Sequence, residues 1–196
     1  MDQALKDDLR RVAHACADAA AAETLRWFRA PQLDIEDKGA GHFDPVTQGD
    51  RAAEAAIRHV LARERPDDAI FGEEEGETAG TSGLTWVLDP IDGTRAFMAG
   101  APVWGTLIAV GGAEGPVFGI IDQPYIGERF EGGFGHAAHR GPHGGGVLRT
   151  RQTARLEDAV LFSTYPEIGT DAQRAAFHTV APRTKLTRYG LDCYAY

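Results

Sequence analysis

The sequence predicts a layered sandwich of the α+β / α/β class, in which helices pack against sheets. Three observations predict it. Two stretches near the start carry apolar residues at helical spacing, and the middle of the chain holds several strand-like apolar runs. Past Gly146, strand-like and helix-like segments alternate, which is typical of a second layered domain. We therefore predict an N-terminal domain over 1–150 and the beginning of a C-terminal domain over 151–196.

The two helical stretches lie on either side of a glycine-rich loop. Residues from Gln3 to Phe28 place alanine, leucine and valine near helical spacing, with Cys16 on the apolar side as a packed thiol. Thr47 followed by Asp50 resembles a capping box, which marks the start of a second helix. We expect that helix over Arg51 to Arg65, with an inward face formed by Ala52, Ala55, Ala56, Val60 and Leu61.

Apolar runs predict the strands. Ala69 to Phe71 and Leu84 to Leu88 each precede acidic residues, and Pro90 is expected to end the second strand because it has no amide proton. Runs at 103–110 and 117–121 predict an antiparallel meander. Segment 136–146 has three histidines without a cysteine, and its glycines favour a surface loop over a zinc site. Strands at 159–162 and 185–187 flank a helix at 171–180.

Composition excludes several classes of function. The chain has 196 residues and a formal net charge of -9, so its surface is unsuited to nucleic acid. No apolar run is long enough to span a membrane, and the first residues lack the features of a signal peptide. Its two cysteines, Cys16 and Cys193, are far apart in sequence and form no metal-ligand or redox motif. We expect a cytoplasmic protein with no nucleic-acid or membrane partner.

The segment after the second strand carries the main candidate site. Asp89 and Asp92 lie three positions apart across a turn, where both carboxylates can point into one cleft, and the Ile91 carbonyl is a third hard oxygen. Oxygen ligands suit magnesium, calcium or manganese. The amides of Gly93 and Thr94 begin a short helical segment and suit a phosphate group. The alternative is an ordinary surface turn, since Asp, Pro and Gly are common in turns.

Acidic residues also follow the first strand, at Glu73, Glu74 and Glu75. A run of acids taken alone is commonly a solvated face of the protein. Two acidic segments that each follow a buried strand favour a metal-assisted phosphate site. In such a site, Glu73 or Glu74 could accept a proton from water, helped by the Thr94 hydroxyl.

These motifs resemble the inositol-monophosphatase superfamily of magnesium-dependent, lithium-sensitive phosphatases. The resemblance rests on three groups of residues: Gly72-Glu73-Glu74, Trp86 to Thr94 with Phe97, and Phe43-Asp44-Pro45-Val46-Thr47 with Asp50. Two further groups resemble its histidinol-phosphate phosphatase branch: Ile121-Asp122-Gln123-Pro124 with Gly127-Glu128-Arg129, and Arg188-Tyr189-Gly190 with Asp192-Cys193-Tyr194.

The resemblance implies a role for each candidate residue. Glu73, Asp89 and the Ile91 carbonyl would bind one Mg²⁺, and Asp89 with Asp92 a second. Asp44 would help to hold a third ion, with Mn²⁺ as a substitute metal and Li⁺ as an inhibitor. Gly93 and Thr94 would bind the phosphate. Asp192 would contact the organic part of the substrate, although an aspartate that begins a helix is the alternative. Lys38 is either a phosphate contact or a solvated side chain.

The resemblance also implies a reaction and its partners. We expect hydrolysis of a small phosphate monoester, L-histidinol phosphate first and inositol monophosphate or another sugar phosphate as the alternative, in a homodimer. The superfamily takes a further metal-binding aspartate from beyond the region that matches Tyr196. We therefore expect a fragment or a truncated product, and an inactive metal-binding remnant is the third alternative.

Overall fold

The structure is a computed structural model that describes residues 1–37, 45–167 and 169–195. It contains two compact units, Met1–Leu148 and Arg149–Tyr196. The first unit comprises, in chain order, α1 (Gln3–Trp27), β1 (Ile35–Asp37), β2 (Pro45–Thr47), α2 (Gln48–Glu64), β3 (Ala69–Gly72), β4 (Gly76–Thr78), β5 (Thr85–Asp92), α3 (Thr94–Met98), β6 (Gly105–Gly112), β7 (Gly115–Gln123), β8 (Glu128–Gly133), β9 (His136–Gly141) and β10 (Gly144–Val147).

An eight-stranded sheet organises this unit, in the order β10-β9-β8-β7-β6-β5-β3-β4. Strands β3 and β5 run parallel, and β5 to β10 pair antiparallel in sequence order. The predicted meander and the layered α+β class are confirmed. The single parallel pair matters most for function, because neighbouring parallel strands have their C-terminal ends at the same end of the sheet.

Helices α1 and α2 supply the core that covers one face of the sheet. The core contains the buried side chains Leu9, Val12, Cys16, Ala20, Ile57, Leu61, Trp86, Leu88, Ile108 and Phe118. Burial raises the pKa of the Cys16 thiol to about 12, so the predicted packed thiol is confirmed.

The start of α2 shows the predicted capping box. The Thr47 side chain accepts a hydrogen bond from the helix, and Asp50 accepts one from the Thr47 amide. The predicted inward face was partly wrong. Ala55 is exposed, and the buried positions are Ala53, Glu54 and Ile57 along with Val60 and Leu61. Alanine tolerates either face of a helix, so alanines alone do not mark the buried side.

Two other predictions need correction. Pro90 does not end its strand: β5 continues to Asp92, with a register shift between Asp89 and Asp92 against β6. The missing amide falls within this bulge, where a proline costs no ladder hydrogen bond. Segment 136–146 is not a loop but the hairpin β9–β10, paired with β8. Its His139 ring stacks on Phe130 with centroids 5.8 Å apart.

The second unit contains β11 (Val160–Ser163), α4 (Asp171–Val180), β12 (Leu186–Tyr189) and three short 3-10 helices at Leu156–Asp158, Ala181–Arg183 and Asp192–Ala195. Strands β11 and β12 pair in parallel, and a capping box at Thr170 begins α4. This is the predicted alternation of strand and helix. Across both units, the described helices include none with the length and apolar character needed to cross a membrane.

Candidate active site

Strands β3 and β5 place Glu73 beside Asp89. Gly72 and Leu88 are register partners in the parallel pair, so the residues that follow them are neighbours at the sheet edge. The Glu73 amide donates to the Leu88 carbonyl at 3.1 Å, and the Glu73 side chain lies close enough to Asp89 to raise the pKa of Asp89. The structure therefore brings together two of the acids that the sequence singled out.

The bulge in β5 sets the geometry of the second acidic pair. Asp89 pairs with Leu107 and Asp92 with Gly105, so the intervening residues arch away from the ladder. The Pro90 carbonyl accepts a hydrogen bond from the Thr106 hydroxyl at 2.8 Å, which anchors the arch to β6. Asp92 lies close enough to contribute to the electrostatic environment of Asp89. The bulge thus takes the place of the turn that was expected at Pro90.

Packing of a hydrophobic side chain also holds the bulge of β5 in place. The Ile91 side chain is buried against Phe28, Phe97 and Trp104. Ring centroids of Phe97 and Trp104 are 5.0 Å apart, and those of Phe28 and Phe97 are 5.3 Å apart. Because the Ile91 side chain is held in this cluster, its backbone carbonyl has a fixed direction. That carbonyl accepts a hydrogen bond from the Thr94 hydroxyl at 3.1 Å.

The acidic group has an unusual electrostatic environment. Burial is the main cause that raises the pKa of Asp89, to about 9, and nearby Glu73, Asp92 and Asp50 add to the effect. Asp89 Oδ1 is buried, and no hydrogen-bond donor in the described part of the chain reaches it. A buried carboxylate oxygen without a donor is costly, and a bound cation would offset that cost.

The residues present fit a hard divalent cation in part. Glu73, Asp89 and the Ile91 carbonyl are all oxygen donors, the type that Mg²⁺ prefers. Within residues 1–37, 45–167 and 169–195, however, no group of three or more His, Cys, Asp or Glu side chains is arranged to hold an ion. Glu73 and Asp89 therefore offer only part of a ligand set among the described residues; Asp92 is near Asp89, and the Ile91 carbonyl is close to both aspartates in sequence.

Asp50 is a site residue that the sequence analysis did not assign to the chemistry. It is 2% exposed, and one of its oxygens lies 3.4 Å from the Thr94 hydroxyl. Burial raises the pKa of Asp50 despite hydrogen bonds from Thr47, and Glu73 raises it further. The capping box was a signal for this residue, but it pointed to helix initiation and not to the contact with Thr94.

Gly93 and Thr94 lie where the bulge meets α3. Gly93 has a φ of 86°, a left-handed conformation that favours glycine, and Thr94 is the first residue of the helix. Among the described residues, no side chain donates or accepts a capping hydrogen bond at this helix start. The Thr94 hydroxyl is shared between the Ile91 carbonyl and Asp50, so the side chain has a defined orientation. The two residues predicted to contact phosphate are therefore both held in place: Gly93 by its backbone conformation and Thr94 by the hydrogen bonds of its hydroxyl group.

Four further predicted residues are Asp44, Lys38, Asp192 and Glu74. Asp44 and Lys38 lie outside the described residues. Asp192 begins a 3-10 helix in the second unit, with a φ of 42°. Glu74 follows Glu73 in the acidic turn, and its amide donates to Glu54 at 2.8 Å. The roles of these residues stay predictions.

Comparison with known proteins identifies the family. Residues 5–189 match the model of the inositol monophosphatase family. A bifunctional phosphatase, IMPL2, from Arabidopsis thaliana is 38% identical over 97% of this chain and 54% of its own length. The histidinol-phosphatase of Streptomyces coelicolor is 43% identical over 78% of this chain and 58% of its own length. The chain thus spans a little over half the length of these curated relatives.

Solved structures agree with this match. An inositol monophosphatase from Zymomonas mobilis superposes with a TM-score of 0.80 at 39% identity, covering 99% of this chain and 72% of that one. The extragenic suppressor protein suhB from Bartonella henselae gives a TM-score of 0.81 at 26% identity, covering 94% of this chain and 70% of that one. With sequence and fold in agreement over nearly its whole length, this chain belongs to the inositol monophosphatase family.

Proposed function

We propose that this chain carries the catalytic centre of a magnesium-dependent phosphatase that hydrolyses a small phosphate monoester. The observation that carries the proposal is the proximity of Glu73 to Asp89 where β3 ends beside β5, next to a buried Asp89 oxygen that no donor among the described residues reaches. Two carboxyl groups this close destabilise the fold when no cation is present, and a divalent cation would stabilise them. Membership of the inositol monophosphatase family supports the same reaction class.

The proposed ligands include this pair of acids. Glu73, Asp89 and the Ile91 carbonyl would bind one Mg²⁺, Asp89 and Asp92 a second, and Asp44 would help with a third. Mn²⁺ would substitute, and Li⁺ would inhibit. When bound, the metal supplies a more acidic water and neutralises charge on the phosphoryl group. The exposed position of Glu73 leaves that side of the group open to water.

The chain's own residues would orient substrate and move protons. The Thr94 hydroxyl is held between the Ile91 carbonyl at 3.1 Å and Asp50 at 3.4 Å. A threonine so placed can accept a proton from an attacking water while it passes its own to Asp50. Glu74, beside Glu73, is the alternative proton acceptor. The amides of Gly93 and Thr94 would contact the phosphate oxygens.

L-histidinol phosphate is the proposed substrate. Three curated relatives between 38% and 43% identical are named histidinol-phosphatases. Asp192 would pair with the amine of the substrate, a role that rests on the family resemblance. Inositol monophosphate is the alternative substrate, since a structural neighbour at 39% identity is an inositol monophosphatase.

Phosphate release tests the proposal. The purified chain should release phosphate from L-histidinol phosphate faster than from inositol 1-phosphate, and chelation of Mg²⁺ should abolish both. Asp89→Asn should lower kcat by roughly a hundredfold or more, because it removes a shared charge at the reacting centre. Asp68→Asn is the matched control, since it makes the same change at an aspartate that precedes β3 at its opposite end. Metal-independent release, or equal rates for Asp89→Asn and wild type, would refute the proposal.

A second candidate function is metal binding without turnover. The partial ligand set among the described residues favours it. It predicts one bound Mg²⁺ per chain and no phosphate release, whereas the phosphatase predicts two or three ions. Titration calorimetry with Mg²⁺ distinguishes these outcomes by stoichiometry.

We also propose a cytoplasmic homodimer. The buried thiol of Cys16 is consistent with a reducing compartment. Phe71 and Val87 are register partners on the sheet face opposite the helices, and they are 54% and 47% exposed. Apolar side chains exposed side by side favour association with a second copy. Light scattering that gives the mass of a single chain would exclude the dimer.

A further inference from the structure

A buried glutamate on α2 contacts the acidic turn that follows β3. Glu54 is fully buried, with 0% exposure. One of its carboxylate oxygens accepts the Glu74 amide at 2.8 Å, and the other accepts the Glu75 amide at 3.0 Å. Hydrogen bonds from backbone amides to a buried carboxylate are among the strong ones in proteins. Both amides of the turn are therefore attached to one side chain of the helix.

Arg58, one turn further along α2, completes the attachment. Its Nε donates to Glu54 Oε1 at 2.8 Å, which compensates the buried negative charge. Its Nη2 donates to the Gly76 carbonyl at 2.6 Å, and its Nη1 donates to the Thr78 hydroxyl at 2.9 Å. One guanidinium thus joins Glu54 to the strand that leaves the turn. A lysine could not make this set of contacts, because it lacks the planar fork.

The close approach of strand and helix depends on Gly72. A Cβ at this position would lie 2.0 Å from Glu54 Oε1 and 2.7 Å from Arg58 Nη2. Only glycine allows the end of β3 to lie directly against the ion pair. The residue that follows Gly72 is Glu73, so the contact is made at the point where the candidate ligand leaves the strand.

We propose that Glu54 and Arg58 are positioning residues that hold the acidic turn so that Glu73 can share an ion with Asp89. Glu73 is tied on one side through its own amide to Leu88, and on the other through the amides of Glu74 and Glu75 to Glu54. Neither Glu54 nor Arg58 contacts the reacting atoms. This inference rests on the proposed metal site at Glu73, and it adds the residues that set the geometry of that site.

An isosteric substitution separates positioning from general stability. In Glu54→Gln, the amide oxygen would stay towards Arg58 and the Glu75 amide, which leaves the new NH₂ group facing the Glu74 amide. Two donors then face each other at a single position. The variant should therefore release the Glu74 amide more than the Glu75 amide, whereas a merely global loss of stability would affect all amides of β3 alike.

The experiment measures amide hydrogen exchange in the metal-free chain and Mn²⁺ affinity by electron paramagnetic resonance. In Glu54→Gln, exchange at the Glu74 amide should be about tenfold faster or more, and Mn²⁺ binding about tenfold weaker. Asp68→Asn is the control: it also removes a buried charge paired with an arginine, at the opposite end of β3, and should leave Mn²⁺ affinity unchanged and exchange at the Glu74 amide no faster than at the other amides of β3. If Glu54→Gln does not fold, Arg58→Lys should produce the same changes at smaller amplitude.

Each outcome decides the inference. Unchanged exchange at Glu74, unchanged Mn²⁺ affinity, or the same changes in Asp68→Asn would overturn it. A wild-type chain that binds no Mn²⁺ would overturn it as well. If the wild type binds Mn²⁺ and the variant responds as expected, but no phosphate is released, the proposed function fails and the positioning role stands.

Discussion

Gly72→Ala adds a single methyl group at the point where the end of β3 lies against Glu54, and it should destabilise the fold strongly for its size. The added methyl group would lie 2.0 Å from Glu54 Oε1 and 2.5 Å from its Cδ. A carboxylate at the end of a flexible side chain could normally move away. Here it is fully buried and held by Arg58 and two backbone amides. The clash must therefore be relieved by breaking these hydrogen bonds or by shifting the strand.

Both routes lead to a similar magnitude. Overpacking of a core costs about 1 to 3 kcal/mol, and breaking a buried ion pair costs about 3 to 5 kcal/mol. We expect a loss of about 3 kcal/mol in the free energy of unfolding. For a unit of this size each kcal/mol lowers the melting temperature by roughly 2 to 4 °C, which gives a decrease of roughly 6 to 12 °C.

Urea unfolding followed by circular dichroism measures the effect. Gly132→Ala is the matched control, because it also lies in the sheet and its added Cβ would meet nothing within 4 Å. We expect the control to change stability by no more than about 0.5 kcal/mol. If Gly72→Ala and Gly132→Ala unfold at the same urea concentration, the ion pair does not constrain the end of β3, and the reasoning is refuted.

Three further predictions concern acid stability, catalysis and thiol reactivity. Burial raises the pKa of Asp68, but hydrogen bonds from Arg65, Ser82 and Trp86 outweigh it and the pKa lies below its usual range. The stability that Asp68 contributes is therefore present above the unfolded pKa of about 3.9 and is lost as pH falls through the lower folded pKa. Asp68→Asn should flatten the decrease in urea midpoint between about pH 4 and 2, and parallel curves for the two proteins would contradict this. Thr94→Val should lower kcat roughly a hundredfold with unchanged Mn²⁺ affinity, while Thr94→Ser stays near wild type; equal rates for the two variants would exclude a role for the hydroxyl. In a Cys193→Ser background, Cys16 should react with a thiol reagent only as fast as the chain unfolds, because it is 0% exposed and burial raises its pKa to about 12. Labelling faster than unfolding, measured by absorbance, would show a local opening of α1.

The proximity of Glu73 to Asp89 could be anticipated from the sequence. Each acid follows an apolar run of strand length, and such strands deliver their last residues to a common edge when they are parallel and adjacent. The start of α2 was also predictable, since Thr47 and Asp50 have the spacing of a capping box. These features depend on residues that are close in sequence or on a repeating pattern.

Glu54 and the bulge in β5 depend on contacts that are distant in sequence. A glutamate in an alanine-rich helix is expected to face solvent, and its amide partners are 20 and 21 residues away. Pro90 is compatible with a strand end or with a bulge, and only the pairing of Asp92 with Gly105 decides between them. The glycines of segment 136–146 predict a loop, and no local sequence pattern indicates that β9 pairs with β8.

Helix α2 connects the two halves of the candidate site. Asp50 and Glu54 are four residues apart, so they lie on the same face of the helix, one turn from each other. Asp50 reaches Thr94 after β5, and Glu54 reaches the Glu74 amide after β3. Both segments that carry the candidate ligands are thus hydrogen-bonded to the same helix, and not only to each other. A shift of α2 along its axis would move both together, whereas loss of Glu54 alone should release Glu73 and leave Thr94 in place. The comparison of Glu54→Gln with Thr94→Val therefore separates metal affinity from proton transfer within the same site.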